Sequence, residues 1–262
     1  MKHIRTIIAK EWMEVFKNKM VLFTTALMPI LFTAIPLVMV KTTSGSVSAG
    51  GSNADVPALF AQMCGQMNAG DCLQIYLINQ FMVLYMMMPL IIPITIAAYS
   101  IVGEKTTRSL EPLLATPVTT EELLAGKALA AAIPAIAATW ICFVIFLLLL
   151  PLVGATEAVR QYVLGPTWLL GIIVVGPLMA VAAVNFAIMV SSRVNDPRVA
   201  EQMAAILIVP VLGLLFGQVA GVVVINLQLM LIVIAALVVI DIGLVYLGAR
   251  LFQRETILTR WK

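Results

Sequence analysis

Charged residues are scarce in this sequence. Asp, Glu, Lys and Arg make up 11% of its 262 residues, whereas hydrophobic residues make up 62%. A soluble domain typically carries about 25% charged residues, so the deficit favours a membrane protein. Little length remains outside the long apolar runs for a soluble domain. We therefore expect a single transmembrane domain over residues 1–262.

Residues that carry catalytic chemistry are also few. The single histidine is His3, which excludes a histidine-based metal site and intramembrane Ser–His catalysis. No H-E-x-x-H motif occurs, and a lone membrane aspartate cannot form an aspartyl dyad. No phosphate loop occurs either, since Gly126-Lys127 lacks the upstream glycine and the following hydroxyl residue. We expect that the chain is not an enzyme by itself, which leaves transport or scaffolding.

Long apolar runs are what the sequence has in abundance. A helix needs about 20 apolar residues to cross a hydrocarbon core of ~30 Å, and its backbone must be hydrogen-bonded within the segment. Six runs meet this length, which predicts an all-α membrane protein with six transmembrane helices. The predicted spans are residues 20–40, 75–102, 128–151, 167–190, 202–224 and 227–249.

The basic residues predict the orientation of these spans. All of them except Lys41 and Arg160 fall on one side. Lys and Arg near span ends stay in the cytoplasm during insertion, so both termini are expected there and residues 41–74 form an external loop. The same rule explains the net charge of +3, so no nucleic-acid partner is implied. We predict a multi-pass protein of the plasma (cytoplasmic) membrane of a prokaryote.

The sequence has three cysteines. Cys142 lies inside the third predicted span, where a small apolar filler is expected. Cys64 and Cys72 lie in the predicted external loop. In an oxidising compartment this pair can form a disulfide, and two free thiols are the alternative.

Residues 1–19 predict an amphipathic helix before the first span. Apolar residues recur at three- and four-residue spacing, and Lys, Arg and Glu occupy the remaining face. This pattern is typical of an interfacial helix that lies on the membrane and is attracted to anionic lipid. The alternative is a cytoplasmic helix packed on protein. The apolar stripe consists of Ile4, Ile7, Ile8, Trp12, Val15 and Phe16.

Residues 103–127 form the longest internal hydrophilic segment. Leu110, Leu113 and Leu114 share one face of a short predicted helix, whose start Ser109 can cap. Exposed leucines held between two spans suit insertion into a partner, and contact with lipid is the alternative.

Two further helix starts can be predicted. Thr119 and Glu122 have the spacing of a capping box, which predicts a helix that continues into the third span. Asp196-Pro197 combines a capping side chain with proline at the first helical position, which predicts a helix start before the fifth span.

The fifth predicted span carries a glycine at every fourth position, namely Gly213, Gly217 and Gly221. Such a stripe lets two membrane helices approach closely, either within the chain or in a dimer. Residues 202–249 exceed the length of two crossings, which leaves room for a short re-entrant piece near Gln218–Gln228.

Asp241 is the only carboxylate in the middle of a predicted span. Its insertion costs on the order of 2.5–3.5 kcal/mol, so it should face a partner or water. One interpretation places Asp241 and Asn185 on a transport pathway, where the carboxylate binds a cation, a proton or a polar substrate group. The other is a hydrogen bond to a neighbour such as Asn185 or Tyr99. The functional alternatives are then an ion-coupled secondary transporter or channel, or a nontransporting membrane scaffold.

Several stretches resemble the membrane subunits of ATP-binding cassette (ABC) exporters, the type-2 transport permeases. Where that family often has Glu-Gly-Thr after the first lysine, this chain has Thr106-Thr107-Arg108. The matching stretches are Gly103-Glu104-Lys105, Ser109-Leu110-Glu111, Leu113-Leu114-Ala115-Thr116-Pro117-Val118, Glu122-Leu123-Leu124, Gly126-Lys127, Lys10-Glu11-Trp12 and Ala249-Arg250-Leu251-Phe252-Gln253-Arg254-Glu255.

The resemblance implies a permease subunit with a cytoplasmic coupling helix between spans 2 and 3, seated in a groove of a separate ATPase subunit. It also implies a dimer of this permease with an identical or paralogous chain, which forms the translocation pathway, and re-entrant helices between spans 5 and 6. No cofactor would bind this chain, and ATP and Mg would bind the partner. The coupling residues so assigned are Glu104, Arg108, Leu110, Glu111, Leu113 and Leu114.

Overall fold

The computed structural model describes residues 2–17, 19–47, 57, 60, 62, 64, 68–106 and 119–251. These residues are mostly helical, and no strand occurs among them. A π-helical turn, Gly171–Val175, joins the sixth helix to the seventh. The helices are α1 (Lys2–Lys17), α2 (Lys19–Val47), α3 (Ala69–Thr106), α4 (Thr120–Leu149), α5 (Glu157–Val163), α6 (Pro166–Leu170), α7 (Gly176–Ser191), α8 (Pro197–Ala204), α9 (Ile208–Val219) and α10 (Leu227–Leu251).

Six helical stretches of the described chain are long and apolar enough to cross a membrane, which confirms the predicted six-span, all-α architecture. The helices extend beyond several predicted spans: α2 continues to Val47 and α3 begins at Ala69, so both enter the predicted 41–74 loop. Hydropathy marks only the part of a helix that suits hydrocarbon, and its polar ends continue past that part. The stretches are Thr25–Ser44, Ala69–Glu104, Glu122–Val153, Glu157–Ser191, Pro197–Val219 and Leu227–Gly248.

Helix α3 lies at the centre of the bundle. It packs against α2, α4, α7, α8 and α9, and most of its side chains from Gln74 to Ala98 are buried. Trp168 of α6 lies beside Tyr85 of α3 and stacks on two rings of α4. Its ring centroid is 5.9 Å from that of Phe143 and 6.2 Å from that of Phe146. The position of α3 is therefore fixed from several sides.

The outer faces of α4, α9 and α10 are apolar and exposed. Leu148 on α4, Phe216 on α9 and Val239 on α10 are 68%, 67% and 70% exposed. Contiguous apolar surface of this kind suits contact with lipid or with another membrane chain rather than with water.

The connection between α9 and α10 differs from the expectation. Helix α9 ends at Val219, and residues 220–226 turn back directly to α10 without forming the re-entrant helix expected near Gln218–Gln228. Gly221 has a φ of 70° and lies in this turn. The predicted glycine stripe on one helix face is therefore wrong, because the helix ends before its third member. A Cβ on Gly217 would lie 2.9 Å from Cγ2 of Val223, whereas Gly213 has nothing within 4 Å.

Cys64 and Cys72 are joined by a disulfide, with their Cα atoms 5.6 Å apart. Both residues are buried, and Cys72 lies in the first turn of α3. The ring of Phe60 packs edge-on against that of Tyr76 with centroids 5.3 Å apart. The disulfide thus fixes the chain that precedes α3 to the start of that helix.

Candidate functional site

Four charged side chains from three helices meet at one end of the bundle. Lys10 and Glu11 come from α1, Glu104 from the last turn of α3, and Lys127 from near the start of α4. The Nζ atom of Lys127 lies 2.7 Å from Oε1 of Glu11 and 2.9 Å from Oε2 of Glu104, whose Oε1 accepts from Nζ of Lys10. We call these four residues the ion cluster.

The ion cluster is buried and balanced in charge. Glu11, Glu104 and Lys127 are 2%, 6% and 6% exposed, and the fourth member, Lys10, is partly exposed. The ammonium group of Lys127 donates hydrogen bonds to Oε1 of Glu11 and to Oγ of Ser100, the latter at 2.7 Å, and forms an ion pair with Oε2 of Glu104. Two positive and two negative groups neutralise one another, which is the condition under which buried charge is tolerated.

For Lys10 and Glu11 on α1, the ion pairs together shift the pKa more than burial does, and they favour the charged form of both residues. Burial by itself would lower the pKa of Lys10, but its hydrogen bond and charge interaction with Glu104, aided by Glu11 and Glu14, raise that pKa above its usual value. Burial would likewise raise the pKa of Glu11, but Lys127, Ser100 and Lys10 lower it.

These shifts define the pH range over which the ion cluster stabilises the fold. The contribution of Glu11 is complete above its ordinary pKa of about 4.3 and is lost as the pH falls through its lowered pKa. The contribution of Lys10 is complete below about pH 10.4 and is lost as the pH rises through its raised pKa. Both contributions are therefore complete at neutral pH.

The ion cluster joins the two ends of residues 103–127. Glu104 lies two residues before the end of α3, and Lys127 follows the start of α4. That start is fixed by the predicted capping box, which is confirmed: Oγ1 of Thr119 accepts from the backbone N–H of Glu122 at 3.2 Å, and Glu122 accepts from the backbone N–H of Thr119. The second predicted start is also confirmed, since Asp196 caps α8.

Helix α1 packs along α4 as well as contributing to the ion cluster. The indole N–H of Trp12 donates to the backbone oxygen of Ala130 at 3.0 Å. Ile7 is buried against Gly126, where a Cβ would lie 2.9 Å from Cγ2 of Ile7. The predicted apolar stripe is therefore divided: Ile7 is buried in protein, Phe16 is 60% exposed, and the remaining members, Ile4, Ile8, Trp12 and Val15, are half-buried.

Substitution of Gly126 should test this contact. We expect Gly126→Ala to lower the melting temperature of the purified protein in detergent, because overpacking costs about 1–3 kcal/mol. In an Ile7→Ala background the same substitution should be less destabilising, since the Cγ2 and Cδ1 atoms of Ile7 are gone and only its Cβ, 3.0 Å away, remains. Gly243→Ala is a matched helical control, because nothing lies within 4 Å of its Cβ position. A melting temperature of Gly126→Ala equal to or higher than that of the wild-type protein would contradict the close approach of α1 to α4.

Only one of the predicted coupling residues lies in the described structure. Glu104 is part of the ion cluster, and its carboxylate is directed at Lys10 and Lys127. The other predicted coupling residues lie outside the described residues, namely Arg108, Leu110, Glu111, Leu113 and Leu114.

Sequence reasoning missed the site roles of Lys10, Glu11 and Lys127, although all three stand in the stretches that carry the resemblance. Two local signals mark them. Glu11 lies between Ile7 and Val15 at four-residue spacing and so interrupts the apolar stripe, and Lys127 stands in an otherwise apolar start of the third span. A charge on an apolar face predicts a buried partner.

A second polar contact was also missed, and it ties α8 to the centre of the bundle. Oγ1 of Thr95 on α3 donates to Oε1 of Glu201 on α8 at 2.6 Å. Beside it, Ala200 of α8 is buried against Ala98 and Val102 of α3. Helix α3 is thus linked to α1, α4 and α8 near the same end.

Asp241 lies far from the ion cluster in sequence and has a different environment. It is 7% exposed, and neither carboxylate oxygen has a hydrogen-bond partner among the described residues. The expected hydrogen bond to Asn185 or Tyr99 is therefore not formed. The amide of Asn185 instead donates to the backbone oxygen of Val181 at 2.9 Å, within its own helix.

Comparison with known proteins gives one family. The model of the family described as ABC-2 family transporter protein matches residues 5–255, which include the ion cluster and all six candidate spans. Among curated proteins, none matches the chain. The resemblance to ABC type-2 permeases is thus confirmed by a match over almost the whole sequence. The chain belongs to the ABC-2 family of transporter proteins.

Proposed function

We propose that this chain is the membrane permease subunit of an ABC exporter, which dimerises with an identical or paralogous permease and is driven by separate ATPase subunits. Family membership supports a transporter permease that associates with an ABC ATPase in a membrane. The exposed apolar faces of α4, α9 and α10 are suited to the bilayer and to a second permease chain.

The ion cluster is the observation that carries the proposal. Glu104, in α3, lies near the start of residues 103–127, and Lys127, in α4, lies at their end. The ion pairs of these buried charges therefore hold the two ends of the segment to each other and to α1. Removing one member leaves an uncompensated buried charge, which is strongly unfavourable. A displacement of this segment would therefore move the adjoining ends of α1, α3 and α4 together.

The charged and apolar residues of the segment then have different roles. Leu110, Leu113 and Leu114 dock into a groove of the ATPase, while Arg108 and Glu111 set its orientation. Glu104 holds the end of α3 through the ion cluster instead of contacting the ATPase, because its side chain is buried inside the permease.

The transport cycle follows from these roles. Two ATPase subunits bind ATP and Mg, close around the nucleotide and move the coupling helices. The permease chains, which bind no cofactor, move as rigid bundles and switch access from the inner to the outer side.

The charge distribution supports placing the ion cluster in the cytoplasm. All lysines and arginines other than Lys41 and Arg160 lie on one side of the six spans, and such residues stay in the cytoplasm during insertion, which supports cytoplasmic termini. The membrane that we propose is the plasma membrane of a prokaryote. Helix α1 lies at the membrane surface, where the exposed side chains of Met13 and Phe16 contact lipid.

Co-reconstitution into lipid vesicles tests this function. We expect ATP hydrolysis when the permease and its ATPase are both present, and none from vesicles that contain the permease alone, because this sequence has no phosphate loop. Hydrolysis by the permease alone would contradict the proposal. So would an ATPase whose hydrolysis rate is the same with and without the permease.

A further inference from the structure

Asp241 points into the protein from a helix that is otherwise largely exposed. It lies in α10, and its carboxylate-bearing side chain is 7% exposed. Its neighbours Ile240 and Ile242 are 47% and 65% exposed. The flanking side chains thus face outward, whereas Asp241 faces the helices against which α10 packs.

The protein offers Asp241 no counter-ion on the elements against which α10 packs. Those elements are α6, the π-helical turn Gly171–Val175 and α7, and none contains an ionisable residue in the described structure. On α10 itself the other ionisable groups are Tyr246 and Arg250. The guanidinium of Arg250 lies 4.6 Å from the ring centroid of Tyr246. Arg250 is nine positions beyond Asp241 on the helix, a rise of about 13.5 Å.

An ionised carboxylate that is buried without a counter-ion is unfavourable in free energy. An aspartate in the middle of a membrane helix costs on the order of 2.5–3.5 kcal/mol, and a counter-ion or hydrogen-bond donors are what offset the cost. Neither oxygen of Asp241 has a hydrogen bond from the described residues. A bound proton removes the charge and needs only one carboxylate oxygen.

A sodium ion fits the surroundings less well than a proton does. Hard cations take several oxygen ligands. The described elements that pack on α10 carry side-chain oxygens only on Thr167 of α6 and on Asn185 and Ser191 of α7. The backbone oxygens of α7 before its last turn accept hydrogen bonds within the helix, and that of Val181 also accepts from the amide of Asn185.

We infer that Asp241 is a proton-binding site of this permease, which holds a proton while α7 and α10 are packed together. One carboxylate oxygen takes a proton from a hydronium ion and leaves water, and the reverse step returns the proton to water. Release requires a state in which water enters between α7 and α10, so proton exchange reports the opening of that interface. This inference depends on the burial of Asp241 and is independent of the ATPase.

Infrared difference spectroscopy of the purified permease in lipid tests the inference directly. We expect wild-type protein at neutral pH to show the carbonyl band of a protonated carboxylic acid, and we expect this band to be absent from Asp241→Asn. The substitution keeps the shape of the side chain, so folding should be retained. Glu157→Gln is the matched control, since Glu157 is exposed and its removal should leave the band unchanged. A neutral-pH spectrum without the band would overturn the inference.

Labelling with dicyclohexylcarbodiimide supplies a second measurement and separates the proton from sodium. This apolar reagent reacts with protonated carboxyl groups, and peptide mass spectrometry locates the adduct. We expect Asp241 to be labelled at neutral pH, and we expect labelling to fall as the pH rises. Added sodium chloride at constant pH should not protect it. Protection by sodium would make Na⁺ the occupant and would overturn the assignment to a proton.

Discussion

Replacing Leu113 and Leu114 together by aspartate should abolish co-purification of the permease with its ATPase. Burying a leucine contributes about 1.5–3 kcal/mol, so the loss of two docked side chains removes about 3–6 kcal/mol. Since 1.4 kcal/mol is tenfold in affinity, the dissociation constant should rise by about two to four orders of magnitude. The aspartates add a further cost, because each brings an unpaired charge into the groove. Affinity purification in mild detergent, with quantification of the bound ATPase, measures the effect.

A conservative pair supplies the control for this experiment. Leu113→Met with Leu114→Met keeps apolar volume at both positions and should retain most of the binding. Both double variants should reach the membrane fraction in normal amounts, because the substitutions lie between spans. Unchanged co-purification of the aspartate variant would contradict the assignment of this segment as the coupling helix.

Lys127→Met should destabilise the permease more than any exposed charge substitution. It leaves Glu11 and Glu104 buried with Lys10 as their remaining cationic partner in the ion cluster. Removing one partner of a buried ion pair costs about 3–5 kcal/mol. We expect a large fall in melting temperature, measured in detergent at neutral pH. Arg160→Met is the matched control, since its pair with Glu157 is exposed and such pairs contribute at most about 1 kcal/mol.

A second variant distinguishes charge imbalance from lost packing. Glu11→Gln combined with Lys127→Met leaves the balanced pair Lys10–Glu104, and should recover part of the melting temperature lost in Lys127→Met. Permease-dependent ATP hydrolysis should be reduced in both variants at a temperature at which both remain folded, because α1 is no longer tied to α4 through these charges. If Lys127→Met had the same melting temperature as the wild-type protein, the ion cluster would contribute nothing to stability.

The six spans could be predicted from sequence because length and apolarity alone define a crossing. The starts of α4 and α8 could be predicted because capping is local: Thr119 and Asp196 each bond to a backbone N–H two or three residues on. The central position of α3 could not be predicted. A membrane helix is apolar on all sides, so its sequence does not distinguish a face toward lipid from a face toward protein.

The site depends on contacts that sequence spacing does not reveal. Glu104 lies 94 residues from Lys10, and the packing of α1 on α4, which itself packs against α3, brings them together. The glycine stripe failed for a related reason: its spacing assumes a continuous helix, whereas α9 ends before Gly221. The absence of a partner for Asp241 likewise follows from which helices surround α10.

The long separation between the members of the ion cluster has a consequence for biogenesis. Lys127 is 116 residues beyond Glu11. At about 5–20 residues per second, a ribosome takes about 6–23 s to reach Lys127 after completing Glu11. During that interval the nascent N-terminal helix lacks this cation. The first two membrane-spanning helices are therefore synthesised before Glu11 can pair with Lys127, and α1 reaches its final contacts only after that point.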